Sequence, residues 1–295
     1  MTARRAAPGS GWLVAAAILL SGLSPAAAIS PPLLVGDLGT ALRPDKGSSP
    51  HGFAPLHGVV VFAARPDDHA DRLFVTDGST AGTQELVSPC AARVGGDVDL
   101  LFRGRDRAYY LATCQDGLQA IWGTDGTSSA TELLTVVSPG DSGGGPGLGA
   151  GLSGLSTWAE LGDSAFFLLG GQLGPLELWK TSGTAAGTLR VRILDESSSG
   201  TNAGISATSD GHLVIAAYSS LPWDDLAILL WASDGTPAGT DLGRRIPTTA
   251  AGFSFPFFGR SDAGVLVWKG EDNSSSELWF SDGTPDGTVR VAQIA

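Results

Sequence analysis

One phrase occurs five times along this chain, and the repetition limits its possible folds more than any other feature. "LFVTDGSTAGT", "IWGTDGTSSAT", "ELWKTSGTAAGT", "LWASDGTPAGT" and "ELWFSDGTPDGT" align on an Asp-Gly step whose first residue is Asp77, Asp125, Ser182, Asp234 and Asp282. The steps are separated by 48, 57, 52 and 48 residues. Three positions earlier each copy has an aromatic residue (Phe74, Trp122, Trp179, Trp231, Trp279), and each closes on a Thr (Thr83, Thr131, Thr188, Thr240, Thr288). Self-similarity near 50 residues marks a repeat architecture, in which one supersecondary unit buries its apolar face against the next.

Each unit reads as four short strands. In the second these are "DLLFRG", "AYYLATC", "AIWGTDG" and "TELLTVV"; in the fifth, "FSFPFFG", "GVLVWKG", "SELWFSDG" and "VRVAQIA". Aromatic and β-branched residues dominate, and Gly or Asp stands at the junctions. The second strand discriminates between architectures. Its copies "VVVFAA", "YYLAT", "AFFLLG", "LVIAAY" and "VLVWKG" are continuous apolar runs without alternation, which implies burial on both faces. Four-stranded sheets stacked radially meet that demand, so the fold expected is an all-β β-propeller of about five four-stranded blades over residues 53–295. An open solenoid is the next alternative; a pair of β-sandwiches would give a period near 100.

On this reading the repeated phrase is structural. It supplies the third strand, a turn and the start of the fourth. Asp77, Asp125, Asp234 and Asp282 are expected to accept bonds from following backbone N–H groups, and Gly78, Gly126, Gly183, Gly235 and Gly283 to take the left-handed conformation. The phrases "ELWKTSGTAAGT" and "ELWFSDGTPDGT" resemble the ELWxxDGT repeat family of exported bacterial proteins, also labelled hyalin-like, from about Leu33 to the C-terminus. The resemblance implies no catalytic residues. The first unit departs most, with Phe74 for Trp and Ser79 for Thr, and the second has Ala130 where the others have Gly.

Residues 1–28 read as a signal peptide: Arg4 and Arg5 form a positive start, Trp12–Leu20 an apolar stretch too short to span a bilayer, and Ala26–Ala28 a small-residue cleavage site. An N-terminal membrane anchor is the alternative. No later stretch is apolar enough to span a membrane, so the mature protein is expected to be secreted, periplasmic or cell-surface. Removing both arginines takes the net charge from −12 to −14, which repels phosphate backbones and excludes a nucleic-acid partner. Residues 29–52 form an N-terminal segment in which Leu33–Gly39 also reads as a fourth strand. It competes with "VRVAQIA" for one slot, adds an outer strand, or leaves the ring to be enlarged by association. The two cysteines, Cys90 and Cys114, fall near one blade-to-blade crossing; export permits a disulfide, and two free buried thiols are the alternative.

Candidates for chemistry are few. Loops between second and third strands are acidic, offering Asp67, Asp68 and Asp71, then Asp116, then Asp224 and Asp225, then Glu271, Asp272 and Asn273. Such oxygen ligands suit Ca2+, but no loop has the spacing of the helical calcium hand, and a solvated acidic rim is the competing reading. Trp223 beside two acids suits carbohydrate stacking. His51, His57 and His69 with Asp67 could form a metal site, although their spacing does not obviously converge. Asp97, Asp99 and Glu160 start first strands, which would line a propeller channel, and a glycoside hydrolase needs two carboxylates facing across the scissile bond. No nucleophile elbow, phosphate loop or zinc helix occurs. The glycine run at residues 140–154 reads as an excursion between the second and third units. The function expected is a binding or interaction module for an extracellular protein or glycan without a cofactor. The alternatives are a carbohydrate-active enzyme and a structural component of an extracellular layer.

Overall fold

A computed structural model describes residues 48–66, 70–87, 89–90, 96–114, 118–139, 157–170, 175–195, 203–219, 227–248, 257–270 and 276–294. All of them belong to one unit, residues 35–295. They form five four-stranded antiparallel sheets in which each strand pairs with its sequence neighbour. Sheet 1 is β1 (His51–Leu56), β2 (Val59–Ala64), β3 (Arg72–Thr76) and β4 (Gln84–Val87). Sheet 2 is β5 (Gly96–Arg103), β6 (Ala108–Cys114), β7 (Leu118–Thr124) and β8 (Glu132–Pro139). Sheet 3 is β9 (Trp158–Leu161), β10 (Ser164–Gly170), β11 (Leu176–Thr181) and β12 (Leu189–Asp195). Sheet 4 is β13 (Ala203–Ala207), β14 (Leu213–Ser219), β15 (Ala227–Ser233) and β16 (Thr240–Pro247). Sheet 5 is β17 (Phe257–Ser261), β18 (Gly264–Gly270), β19 (Ser276–Ser281) and β20 (Val289–Ile294).

In sheets 2, 3 and 4 the continuous apolar second strand is buried on both sides because successive sheets share a core. One cluster joins Val61, Ala63 and Leu73 of sheet 1 to Val98, Tyr110 and Ala112 of sheet 2. A second joins Leu111 and Ile121 to Phe167 and Leu169. A third joins Leu176 and Leu178 to Ile205, Ile215 and Trp231. A fourth joins Val214, Ile228 and Leu230 to Val265 and Val267. Sheets 2, 3 and 4 thus send alternate side chains of one strand into two different cores. A sheet solvated on one face has no use for such a run.

The repeated phrase closes on itself. Asp77, Asp125, Asp234 and Asp282 each accept, on Oδ1, the backbone N–H two residues on at 2.8 Å and that residue's hydroxyl at 2.7 Å. The hydroxyl before each Asp-Gly step accepts the glycine N–H and pairs with the closing Thr, as between Ser281 and Thr288 at 2.7 Å. The five turn glycines have φ between +86° and +95°, where any Cβ is strained. The later glycines have a different role: a Cβ at Gly82, Gly239 or Gly287 would collide with the Asp carboxylate folded beneath it. The second copy, with Ala130, takes a 3-10 turn over Ser128–Ala130.

Two regularities are invisible in the sequence. The pairing of third and fourth strands slips immediately before the aromatic residue in all five sheets. The extra residue of this β-bulge is Leu86, Leu134, Val191, Gly243 or Val291. A bulge re-aims the strand locally, and here it turns the extra residue toward the following sheet. Leu86, Leu134 and Val191 enter the cores shared with sheets 2, 3 and 4, and Gly243 lies against the Gly283 carbonyl of sheet 5.

The second regularity explains the "ELW" spelling. Glu177 accepts the Trp179 indole N–H at 2.8 Å and the Arg190 guanidinium at 2.6 Å. Glu277 repeats this with Trp279 at 3.0 Å and Arg290 at 2.8 Å, and also receives Lys269 at 3.3 Å. Burial alone would raise the Glu277 pKa, but its bonds to Arg290, Trp279 and Lys269 bring it below the usual value. Sheet 1 reverses the pair as Arg72 and Glu85, 3.1 Å apart. Sheets 2 and 4 have apolar residues at both places, Ala120 with Leu133 and Leu229 with Leu242. With Ala120 there, the buried Trp122 indole N–H has no acceptor.

Candidate functional site

In an antiparallel meander the start of the first strand, the end of the second and the start of the third lie at one end of the sheet. The Asp-Gly turns lie at the other. At the first of these ends, where sheet 1 meets sheet 2, charged groups converge. The backbone brings them together: the residue preceding Asp71 bridges to Gly96, and the Asp71 N–H donates to the Gly96 carbonyl at 2.9 Å. Cys90 and Cys114 form a disulfide at this junction, with Cα atoms 5.7 Å apart. A Cβ at Gly96 would stand 2.7 Å from Cys90 Sγ, so a larger residue cannot sit under the bridge unless it shifts.

The result is a cavity of about 300 Å³ lined by Ser49, His51, Arg65, Asp71, Asp97 and Asp99. Asp71 forms its floor. Its side chain is 4% exposed, and it accepts Arg65 Nε on Oδ1 at 3.1 Å and the Val98 N–H on Oδ2 at 3.1 Å. The other end of the guanidinium, Arg65 Nη2, is bound to Asp97 at the rim. His51 Nε2 lies 3.0 Å from the Val98 carbonyl and 3.5 Å from Asp71 Oδ2, and its Nδ1 lies 2.9 Å from the Ser49 carbonyl. Burial raises the pKa of the Asp99 carboxyl; His51 opposes the rise, and Asp97 and Asp71 add to it. Burial lowers the Arg65 pKa, but Asp71 and Asp97 outweigh it and leave the guanidinium value raised. The cavity therefore offers fixed donors, carboxylate acceptors and a carboxyl that holds its proton to higher pH than usual.

The sequence candidates distribute unevenly over this geometry. Asp97 and Asp99 fall together in the cavity. Glu160 does not join them; it lines a separate space of about 450 Å³ between the hairpin turns of sheets 2 and 3, with Asp106, Arg107, Tyr109 and Asp163. Asp71, read as a loop acid on a solvated rim or a cation ligand, is instead buried and committed to Arg65 and a backbone N–H. His57 occupies a tight turn with φ +38° and lies 3.1 Å from Asp106 Oδ1 of sheet 2. Asp67, Asp68, His69, Asp116, Trp223, Asp224, Asp225, Glu271, Asp272 and Asn273 lie outside the described residues. Among the described residues, no group of three or more His, Cys, Asp or Glu is placed to hold a metal ion, and no helix is long and apolar enough to cross a membrane. Arg65 was missed in the sequence reading. Its signal was faint: a lone cation at the end of an apolar strand, next to an acidic loop.

No family model matches the sequence, and no curated protein matches it. Solved structures with partial likeness include an α-L-arabinofuranosidase from Fusarium graminearum, at 10% identity and TM-score 0.37, covering 81% of this chain and 79% of that one. The SapL1 lectin, in complex with α-methyl fucoside, is similar at 12% identity and TM-score 0.41, covering 82% and 80%. TolB from Acinetobacter baumannii is similar at 13% identity and TM-score 0.33, covering 80% and 64%. Identity and overlap this low carry no information about ligand or activity.

Proposed function

We propose that the chain is an exported β-propeller whose five sheets are its blades, and that it works as a binding module for a polyhydroxylated extracellular ligand such as a glycan. The blade reading is supported by sheets 2, 3 and 4, each of which shares one face with the sheet before it and the other with the sheet after it. The glycan reading rests on one observation, the cavity at the junction of sheets 1 and 2. Arg65, Asp97 and Asp99 there present donors and acceptors around the buried Asp71 carboxylate that holds the guanidinium, as a ligand rich in hydroxyl groups requires. Export is supported by the leader and agrees with the disulfide. Membership of the ELWxxDGT repeat family is part of the same proposal, supported by the structural use of the Glu, Trp, Asp and Gly of the phrase.

The test is a glycan array with the mature protein, followed by calorimetry of any hit against an Asp97→Asn/Asp99→Asn variant. Both side chains sit at the mouth of the cavity and leave the Asp71–Arg65 pair intact. Affinity is expected to fall at least about tenfold, or 1.4 kcal/mol, with an unchanged circular dichroism spectrum. Hits bound equally well by wild type and variant place the ligand elsewhere and refute the assignment. A second reading, glycoside hydrolysis, is favoured by the raised Asp99 pKa near Asp97, since such enzymes hold one carboxyl protonated beside an ionised one. Release of reducing sugar that Asp99→Asn abolishes would select it over binding alone.

A further inference from the structure

Three departures from the repeat fall at one place, the cavity of about 450 Å³ between the hairpin turns of sheets 2 and 3. The first is Tyr109. The register of second and third strands makes Val61, Phe166, Val214 and Leu266 its counterparts, so sheet 2 alone has a hydroxyl at this position. The second is Arg107, two residues earlier, whose counterparts are Val59, Ser164, His212 and Gly264. The third is Ser182, which stands where the other four turns have an Asp carboxylate.

These residues build a fixed wall. Arg107 donates through Nη1 to the Gly183 carbonyl at 2.7 Å and through Nη2 to the Ala130 carbonyl at 2.6 Å, so it ties the second and third turns together. Tyr109 is 6% exposed, and its ring stacks on Phe102 with centroids 4.5 Å apart. Its hydroxyl stands 3.1 Å from where a Cβ at Gly183 would lie, at the lip of the third turn, and it makes no hydrogen bond among the described residues. A phenol this deeply buried normally has a partner. Burial raises its pKa; Arg107 opposes the rise, and Glu160 and Asp106 add to it, so the hydroxyl keeps its proton at neutral pH. A Cβ at Gly104 would lie 3.5 Å from Glu160 Oε1 and 3.6 Å from the Tyr109 ring, which sets that carboxylate beside the phenol. Arg105 and Asp163 line the same space, and neither they nor Glu160 form an ion pair among the described residues.

We propose that this cavity is a second ligand site and that it takes a neutral, hydroxyl-rich group, the sugar ring of a glycan. The charges select the class. Asp106, Glu160 and Asp163 outnumber Arg105 and Arg107, which disfavours an anion. The two guanidinium groups disfavour a cation, and among the described residues no group of three or more acids or histidines is placed to hold a metal ion. Hydroxyl groups donate to carboxylates and accept from a guanidinium or a phenol, so a sugar satisfies both signs at once. Ser182 follows the same logic: an Asp there would add a fourth carboxylate, whereas a serine hydroxyl donates and accepts. The volume is in the range of small-ligand sites. The ligand class follows from this cavity's own groups and does not rest on the cavity between sheets 1 and 2. That cavity opens at the other end of sheet 2, and the seven residues of β6 separate the two ends by about 20 Å. A chain with both sites holds two sugars at once and bridges one glycan to another.

Carbon-13 at Cζ of the three tyrosines gives a local readout, with Tyr109→Phe assigning the resonance. Titration with the methyl glycosides of glucose, galactose, mannose and fucose is expected to shift the Tyr109 signal saturably for at least one of them. Glu160→Gln/Asp163→Asn, at two exposed positions, is expected to weaken that affinity at least about tenfold with an unchanged circular dichroism spectrum. Asp97→Asn/Asp99→Asn is expected to leave the Tyr109 titration unchanged. Absence of a shift with all four glycosides overturns the proposal, as does a shift produced only by glucuronate or only by glucosamine. So does undiminished affinity in Glu160→Gln/Asp163→Asn. Loss of the shift in Asp97→Asn/Asp99→Asn, with Glu160→Gln/Asp163→Asn unaffected, places the sugar in the first cavity alone; this site then fails while that one stands. A shift retained in Asp97→Asn/Asp99→Asn supports this site whatever the fate of the first.

Discussion

The buried indole N–H of the half-buried Trp122 in sheet 2 permits a sharp test of why the repeat is spelled as it is. Sheets 3 and 5 satisfy the equivalent indole with Glu177 and Glu277, each fastened by an Arg of the fourth strand. Sheet 2 has Ala120 and Leu133 in those places, and its indole N–H is unpaired. Ala120→Glu alone puts a carboxylate into a buried position without a cation and is expected to cost about 3–5 kcal/mol. Leu133→Arg alone changes an exposed residue and is expected to stay within about 0.5 kcal/mol of wild type. Together they rebuild the Glu–Trp–Arg arrangement and relieve a donor whose desolvation costs about 1–3 kcal/mol. The double variant should therefore be about as stable as wild type, with a coupling of at least about 2 kcal/mol between the two positions. Urea unfolding of the four proteins, followed by far-ultraviolet circular dichroism, measures it. A coupling under about 0.5 kcal/mol would refute the claim that the triad, rather than the individual residues, is the stabilising unit.

Two further outcomes follow from the geometry. Gly211 and Gly235 have nearly equal positive φ, +89° and +86°, but only Gly235 faces a neighbouring sheet, at Phe166. Gly211→Ala should cost about 1–2 kcal/mol from backbone strain, and Gly235→Ala about 1–3 kcal/mol more from overpacking; equal losses in denaturant midpoint would show that the turn does not brace the sheets. Asp99 has a raised pKa, so the folded state holds its proton more tightly than the unfolded chain does. Its contribution to stability is full below the unfolded value near 3.8 and disappears as pH rises through the folded value. Wild type should accordingly lose stability relative to Asp99→Asn over that interval. Unfolding midpoints with a pH-independent difference would contradict the assignment.

The repeat was legible because its determinants are local. An Asp, two residues of a turn and a closing Thr interact within seven positions, and a run such as "LVIAAY" needs two buried faces whatever its partners are. The β-bulge before each aromatic was not legible: it is a relation between strands three and four, and residues as different as Leu134, Gly243 and Val291 occupy it. The Glu of "ELW" could be seen but not interpreted, since Arg190 lies 13 residues from Glu177. The cavity was the least legible feature. It collects His51 from β1, Arg65 after β2, Asp71 before β3 and Asp97 and Asp99 from β5, so its composition depends on how two sheets meet. Local reading could group Asp71 only with its loop neighbours, and so assigned a buried, guanidinium-bound carboxylate to a solvated rim.

Near-identical phrases in one polypeptide invite a strand to zip onto the wrong copy. The residues flanking the aromatics discourage this, because adjacent copies never share the same combination: Arg with Glu, Ala with Leu, Glu with Arg, Leu with Leu, Glu with Arg. A slip by one whole copy would seat Arg72 opposite Leu133, Ala120 opposite Arg190, or the buried Glu177 opposite Leu242, and each mismatch strands a charge or an apolar side chain. The variation among the five copies thus acts as an address that tells each outer strand which sheet it belongs to.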